Sequence, residues 1–171
     1  MSALASLFDY LCEANAVTHN PVKGVRRPKV ESNEGKTRVL GDAQARALLA
    51  APPADTLKGN RDRANLSLLL YHALRREELS KLLVNDFNQE REGVPHLRVQ
   101  GKGGKLRYLR THPDTLCLVA QYLEMAGHGA EPDRPLFRRT RASPAGTVAK
   151  ALSPGAIYAD VVLRYMNQVG I

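Results

Sequence analysis

Hydrophobic positions divide the chain into helical and strand-like stretches. Leu4, Leu7, Phe8 and Leu11 follow i, i+3, i+4, i+7 spacing and predict an amphipathic helix over residues 2–15. One helix cannot bury its own stripe, so this one docks on the rest or belongs to a larger helical unit. Residues 21–39 carry Pro, Gly and charge without periodicity, a linker composition that opens on the turn at Asn20-Pro21. Residues 42–51 predict a short helix stopped by Pro52-Pro53. A longer helix comes next over about 60–71, with Leu66, Leu68, Leu69 and Leu70 for the core. After a break at His72-Ala73, a short helix over 76–83 buries Leu79 and Leu82.

The period then changes. Val84–Phe87, Pro95–Gln100 and Leu106–Thr111 read as short strands, the last two joined by Gly101-Lys-Gly-Gly-Lys105. Leu97 and Val99 point to one side, Arg98 and Gln100 to the other, and the glycines permit the positive φ of a tight hairpin. Asp114–Gly127 returns to helix, with Leu116, Val119, Ala120 and Leu123 inward. Residues 128–152 form a Gly/Pro/Arg-rich loop around Pro135-Leu136-Phe137. Ser153 as N-cap and Pro154 at the first helical position start a last helix to about Val169. Ile157, Val161, Val162, Leu163 and Met166 are its candidates for burial. The fold class this predicts is α+β, mostly helical, with a small three-stranded antiparallel sheet.

A chain of 171 residues fits one domain, or one domain plus a fragment of another. With 43% hydrophobic and 25% charged residues it matches globular proteins, which argues against wholesale disorder or coiled coil. No run of 18 apolar residues occurs, so no membrane partner is expected. The N-terminus lacks a secretory signal pattern, and a cytoplasmic location is expected. Cys12 and Cys117 lie far apart in no metal-type spacing and are expected as buried thiols.

Charge changes the picture more. Lys and Arg number 25 against 17 Asp and Glu, a net charge of +8 that suggests a polyanion partner. Residues 20–41 carry six basic and two acidic residues. Residues 98–110 carry five basic and none acidic, and residues 133–150 five and one. The positive charge is therefore concentrated in predicted loops and a hairpin; basic loops that merely solvate the protein are the plain alternative. Gly35-Lys36-Thr37 resembles the end of a phosphate-binding loop, but Val30 stands where its first glycine is required.

The string Ala73-Leu-Arg75-Arg-Glu-Glu78-Leu79-Ser-Lys-Leu82-Leu-Val-Asn-Asp86-Phe87 resembles the first arginine box of the tyrosine recombinases, the phage integrase family. That box reads G-L-R-x-x-E-L-x-x-L-x-x-x-D-[IF], and the chain departs from it only in Ala73. The family's hairpin G-K-G-x-K is matched by Gly101-Lys-Gly-Gly-Lys105. Its interdomain linker is matched by Asn20-Pro-Val22 and Arg27-Pro-Lys29. The resemblance implies three parts: residues 1–19 as the last helix of a core-binding domain, 20–39 as a basic linker, and 40–171 as the N-terminal part of a catalytic domain.

It also implies a chemistry. These enzymes break DNA by attack of a tyrosine on a phosphodiester, through a phosphorane with extra negative charge on its non-bridging oxygens. A guanidinium binds two such oxygens and stays charged at any working pH. Arg75 matches the first of the family's two arginines. The 5′ oxygen needs a proton as it leaves, and Lys102 matches the hairpin lysine that delivers it. Glu78, one helical turn on, supports Arg75. Without the resemblance, Arg75 with Arg76, Glu77 and Glu78 reads as a solvated helix face, and Lys102 as a turn lysine that protects a sheet edge.

Lys105, Arg107 and Arg110 read as phosphate contacts or solvated charges, and Arg26, Arg27 and Lys29 of the linker as further phosphate contacts. Asp86 reads as structural, and Tyr108 and Tyr122 as sheet or core tyrosines. His72-Ala-Leu-Arg75 matches the family's second box, H-x-L-R, letter for letter. The residues after Arg75 match the first box, so His72 is an ordinary helix-end histidine. No residue matches the nucleophilic tyrosine; Tyr158 and Tyr165 precede the place where the second box should begin. The chain thus resembles the middle of an integrase.

The expected function is DNA recombination and integration in the full-length family, with double-stranded DNA as partner, assembly as a homo-oligomer on DNA, and no metal or other cofactor. The alternatives are a non-catalytic DNA-binding remnant and, less directly, an RNA-binding or helical adaptor protein.

Overall fold

The computed structural model describes residues 3–25, 39–140 and 149–171, with Lys102 described by its backbone alone. The chain divides into two compact units, Met1–Val39 and Leu40–Ile171. The first holds helix α1 (Ala3–Glu13), in which no residue is buried. Leu4 and Leu7 of the expected stripe stand exposed. Asn20 ties the turn after α1 back to the helix: its Nδ2 donates to the Ala5 carbonyl at 3.1 Å and to Asp9 Oδ1 at 2.7 Å.

The second unit begins with α2 (Asp42–Ala50) and α3 (Leu57–His72). Helix α3 starts a turn earlier than its apolar pattern suggests because Thr56 caps it. The Thr56 hydroxyl accepts from the Gly59 N–H at 3.0 Å, satisfying one of the orphan donors of a helix start. At its other end Ala73 takes the left-handed conformation, φ 49° and ψ 39°, and turns the chain sharply into α4 (Arg76–Lys81).

Residues Val84–Phe87 form one helical turn, α5, and not the expected strand. The reason is local. Asp86 reaches back to accept from the Leu83 N–H at 2.9 Å, which closes the turn at its start. The N–H groups of Val84 and Asn85 donate to the carbonyls of Arg134 and Pro132. The first strand lies further on, as β1 (Gln89–Arg91), succeeded by β2 (Val94–Gln100) and β3 (Leu106–Arg110) in an antiparallel sheet of order β1-β2-β3. Glu92 and Gly93, both at positive φ (52° and 72°), make the two-residue turn between β1 and β2. The register pairs Val99 with Arg107, Arg98 with Tyr108 and His96 with Arg110.

Helix α6 (Pro113–Ala126) packs on α3 and ends at left-handed Gly127. The last segment starts on Ser153, whose hydroxyl accepts from the Ala156 N–H. It runs through α7 (Pro154–Ala156), a π-helical stretch (Ile157–Leu163) and α8 (Arg164–Gln168). Ile157 and Val161 are buried, Val162 and Met166 half-buried and Leu163 exposed. Leu66, Leu68, Leu79, Leu97, Val119 and Leu136 lie at the centre of the core.

The cysteines depart from expectation: Cys117 is exposed and Cys12 half-buried, both free. Cys117 falls roughly 200° round α6 from buried Thr115, on the solvent face. Ala120, expected inward, is exposed on the same helix.

Candidate active site

The turn at Ala73 and the start of α4 set the site. Leu74 is buried, so Arg75 begins α4 anchored from behind while its own side chain stays 76% exposed. Glu78 is the third residue of α4. Its carboxylate accepts from the Arg75 backbone N–H at 2.9 Å, half of a capping box, and from Arg75 Nη1 at 3.2 Å.

The same carboxylate receives a second arginine from the sheet. Arg107 on β3 donates from Nη1 to Glu78 Oε1 at 2.9 Å and from Nη2 to Oε2 at 2.8 Å, a two-pronged pairing. The Arg107 fork, with help from Arg75, holds the Glu78 carboxyl down at about 2 against the desolvation that opposes it. Glu78 in turn raises the Arg107 pKa. Near neutral pH Glu78 is thus held as an anion, shared by a helix start and a strand.

Beside it opens a cleft of about 630 Å³, lined by Arg75, Glu77, Glu78, Lys81, Gln100 and the hairpin glycines 101, 103 and 104. The hairpin closes with the Gly101 N–H donating to the Lys105 carbonyl at 2.7 Å, around a short 3₁₀ turn (Lys102–Gly104). A Cβ at Gly101 would stand 3.2 Å from Arg107 Nη1, so a larger residue there presses on the fork. The backbone of Lys102 thus sits in the hairpin that edges the Arg75 cleft.

The structure separates residues that charge alone had grouped. Arg75, Glu78, Arg107 and the Lys102 hairpin come together. Lys105 is exposed at the hairpin base. Arg107 pairs with the Glu78 carboxylate and stays partly exposed. Arg110 lies on the opposite face of the sheet, because β3 residues an odd number apart point to opposite sides. Arg26, Arg27 and Lys29 lie outside the described residues. Lys81 and Gln100 were missed; Lys81 carries a faint signal, three residues after Glu78 on the same helix face.

His72 closes α3, and its Nε2 accepts from the His112 N–H at 3.2 Å. Burial lowers its pKa and favours the neutral ring that such an acceptor needs. Asp86, besides closing α5, accepts from Arg98 Nε at 2.6 Å. Tyr122 is buried, with its hydroxyl accepting from the Arg138 N–H. Tyr165 is buried and donates to Asp62, and Tyr158 is exposed beneath the Arg76 guanidinium, 4.6 Å from its ring centre.

No protein-family model matches the chain. Individual relatives do. The tyrosine recombinase XerC of Pelobacter propionicus is 33% identical over 141 residues, 82% of this chain and 45% of that protein. Among solved structures, the XerA recombinase aligns over 98% of this chain and 60% of its own, at 18% identity and a TM-score of 0.61. The XerH site-specific recombinase, solved bound to its difH substrate, aligns over 77% of this chain and 36% of its own, at 19% identity and a TM-score of 0.58. Both structures share the fold. The chain spans about half the length of the curated relatives it matches. With the first arginine box, the hairpin and the fold all in agreement, the chain belongs to the tyrosine recombinase family.

Proposed function

We propose that this chain binds duplex DNA across the cleft and supplies two members of a recombinase reaction centre, Arg75 and Lys102. The observation that carries this is the double use of Glu78. It ties the start of α4 to β3, and so sets the Arg75 side chain against the hairpin on which Lys102 rides. In this reading Arg75 binds the non-bridging oxygens of the scissile phosphate and stabilises the charge that grows there. Lys102 gives its proton to the departing 5′ oxygen as the tyrosine–phosphorus bond forms. Lys81 and Lys105 hold neighbouring phosphates in register.

The nucleophile and the second arginine box match nothing among these residues. Tyr165 is engaged with Asp62, and Arg75, which follows His72 by three residues, belongs to the first box. The 171-residue chain therefore binds DNA without cutting it, and strand exchange belongs to the full-length family. Exchange between duplexes needs more than one reaction centre, so the reading carries assembly of several copies on DNA. The capture of XerH with difH supports duplex DNA as the partner.

The test is binding of the chain to a duplex at several salt concentrations, then denaturing electrophoresis for nicks and covalent adducts. Salt-dependent binding without adducts is expected, because phosphate contacts release counterions. Adducts formed by this chain alone would refute the division of roles. Failure to bind duplex at low salt would overturn DNA binding itself and favour an adaptor.

A further inference from the structure

The sheet has a second face, opposite the one on which Leu97, Val99 and Arg107 lie. The register places His96 beside Arg110, Arg98 beside Tyr108 and Arg91 beside Val94 on it. Arg98 is engaged by Asp86. Arg91 and Arg110 are exposed, and neither has an ion pair among the described residues. Arg91 and Arg110 stand on the two strands flanking β2, offset by two residues along them, with backbones roughly 12 Å apart. Together with Glu92, Val94 and His96 they line a shallow groove of about 380 Å³.

Two details make this more than scattered surface charge. The Arg91 guanidinium lies 3.4 Å from the centre of the Tyr108 ring. Stacking restrains the guanidinium plane while leaving its N–H edges to acceptors. His96 Nδ1 donates to the Val94 carbonyl at 2.8 Å, which fixes the ring and leaves Nε2 unused by it. Among the described residues, the groove therefore offers two guanidiniums and a held imidazole against one carboxylate, Glu92.

We propose that this outer face is a second polyanion-binding surface, which takes the phosphate backbone of duplex DNA independently of the cleft. Charge complementarity selects the occupant: two spaced guanidiniums, opposed in the groove by the single carboxylate of Glu92, match a row of phosphates. Phosphate contacts carry no base specificity, so the surface binds any duplex sequence. It lets one chain hold a second DNA segment while the cleft holds the first. The inference does not depend on what Arg75 and Lys102 do.

The test uses the 171-residue chain and a random-sequence duplex, with affinity measured against salt and with stoichiometry at saturation. Variants are made in the parent chain and in an Arg75→Gln, Lys81→Gln background that weakens the cleft. Arg91→Gln with Arg110→Gln is expected to cut low-salt affinity roughly tenfold in both backgrounds and lower the salt slope by about 2. Saturation should fall from two duplexes per chain to one. Glu92→Asn is expected to raise affinity several-fold by removing the groove's carboxylate, while keeping a residue suited to the turn. That gain of binding cannot come from misfolding.

An unchanged salt slope in the double variant, or Glu92→Asn binding like the parent, overturns the proposal. So does displacement by an acidic polypeptide but not by duplex, which would give the face to a protein. Loss confined to the Arg75 and Lys81 variants would uphold the cleft reading and sink this one alone.

Discussion

Glu78 accepts both Nη groups of Arg107, at 2.9 and 2.8 Å, across the gap between α4 and β3. Its carboxyl is held at about 2, below its ordinary value of 4.5. A depressed carboxyl stabilises the fold fully above its unfolded pKa, and that stability is lost as pH falls from about 4.5 to about 2. Arg107 is 37% exposed, so solvent screening reduces the contribution to on the order of 2 kcal/mol. Glu78→Gln should lose that amount near neutral pH. Chemical denaturation at neutral pH and near pH 2 should show the gap between parent and variant closing on the acid side. A pH-independent gap would mean that packing, and not charge, holds the pair.

Ala73 occupies a position that glycine suits better. With φ 49° and ψ 39° it ends α3 in the left-handed region, where a Cβ costs about 1 kcal/mol. Ala73→Gly should raise stability by about that much, less a few tenths for the freer unfolded chain. The urea midpoint should move up without a change in slope. The substitution also restores the family's usual residue just before Leu74 and Arg75. A fall in stability would show that the Ala73 methyl makes packing contacts that outweigh the strain.

The same turn shows what was legible in the chain. The break at His72-Ala73, the helix after it and the hairpin glycines are local signals, and the structure places all three where periodicity and turn chemistry do. The two hairpin strands are also found, within a residue at each end. The strand expected at Val84–Phe87 failed because one side chain, Asp86, competes for the backbone at short range. Four residues are too few for a period to resist that. The first strand was then missed because Glu92-Gly93 is a weak turn signal beside Asn-Gly or Asp-Gly. Within the site, Arg75 and Glu78 are legible together because they lie one helical turn apart. The Arg107 fork is not legible, since it joins residues 29 apart through tertiary pairing. Charge counts placed Arg107 and Arg110 in one basic stretch; only strand parity puts them on opposite faces.

Gly59 marks a close approach with no sequence signature. A Cβ built there would stand 1.8 Å from the Pro53 carbonyl oxygen and 2.8 Å from its carbon. Both are backbone atoms, so no side chain can swing away. Gly59→Ala should destabilise the unit by about 2 kcal/mol or more, despite alanine's better helix propensity. A thermal melt of the variant decides it: an unchanged midpoint would mean that the Pro52-Pro53 turn yields freely.

Asp62, fully buried on α3, is the hub that fastens the last helix. It accepts from Arg61 Nε at 3.0 Å and Nη2 at 2.7 Å, from Lys58, and from the Tyr165 hydroxyl at 3.0 Å. Arg61 passes its Nη1 on to the Arg138 carbonyl at 3.1 Å. Burial, with Asp62 beside it, pushes the Tyr165 hydroxyl up to about 12 from 10. A raised pKa means that the folded state holds the proton more tightly. The hydroxyl's contribution is therefore complete below about pH 10 and fades as pH rises toward 12. Tyr165→Phe removes one bond to a buried charge and should cost about 2 kcal/mol at neutral pH. Asp62→Asn should cost more, about 3 kcal/mol, because it leaves the Arg61 guanidinium without its counter-charge. Hydrogen exchange then tells where the loss falls. Tyr165→Phe should loosen the amides of the 154–168 helical segment first and leave α6 protected, since among the described residues the hydrogen bonds of Asp62 reach Lys58, Arg61 and Tyr165 and none reaches α6. Uniform loss of protection would mean that the cluster holds the whole unit together and not one helix end.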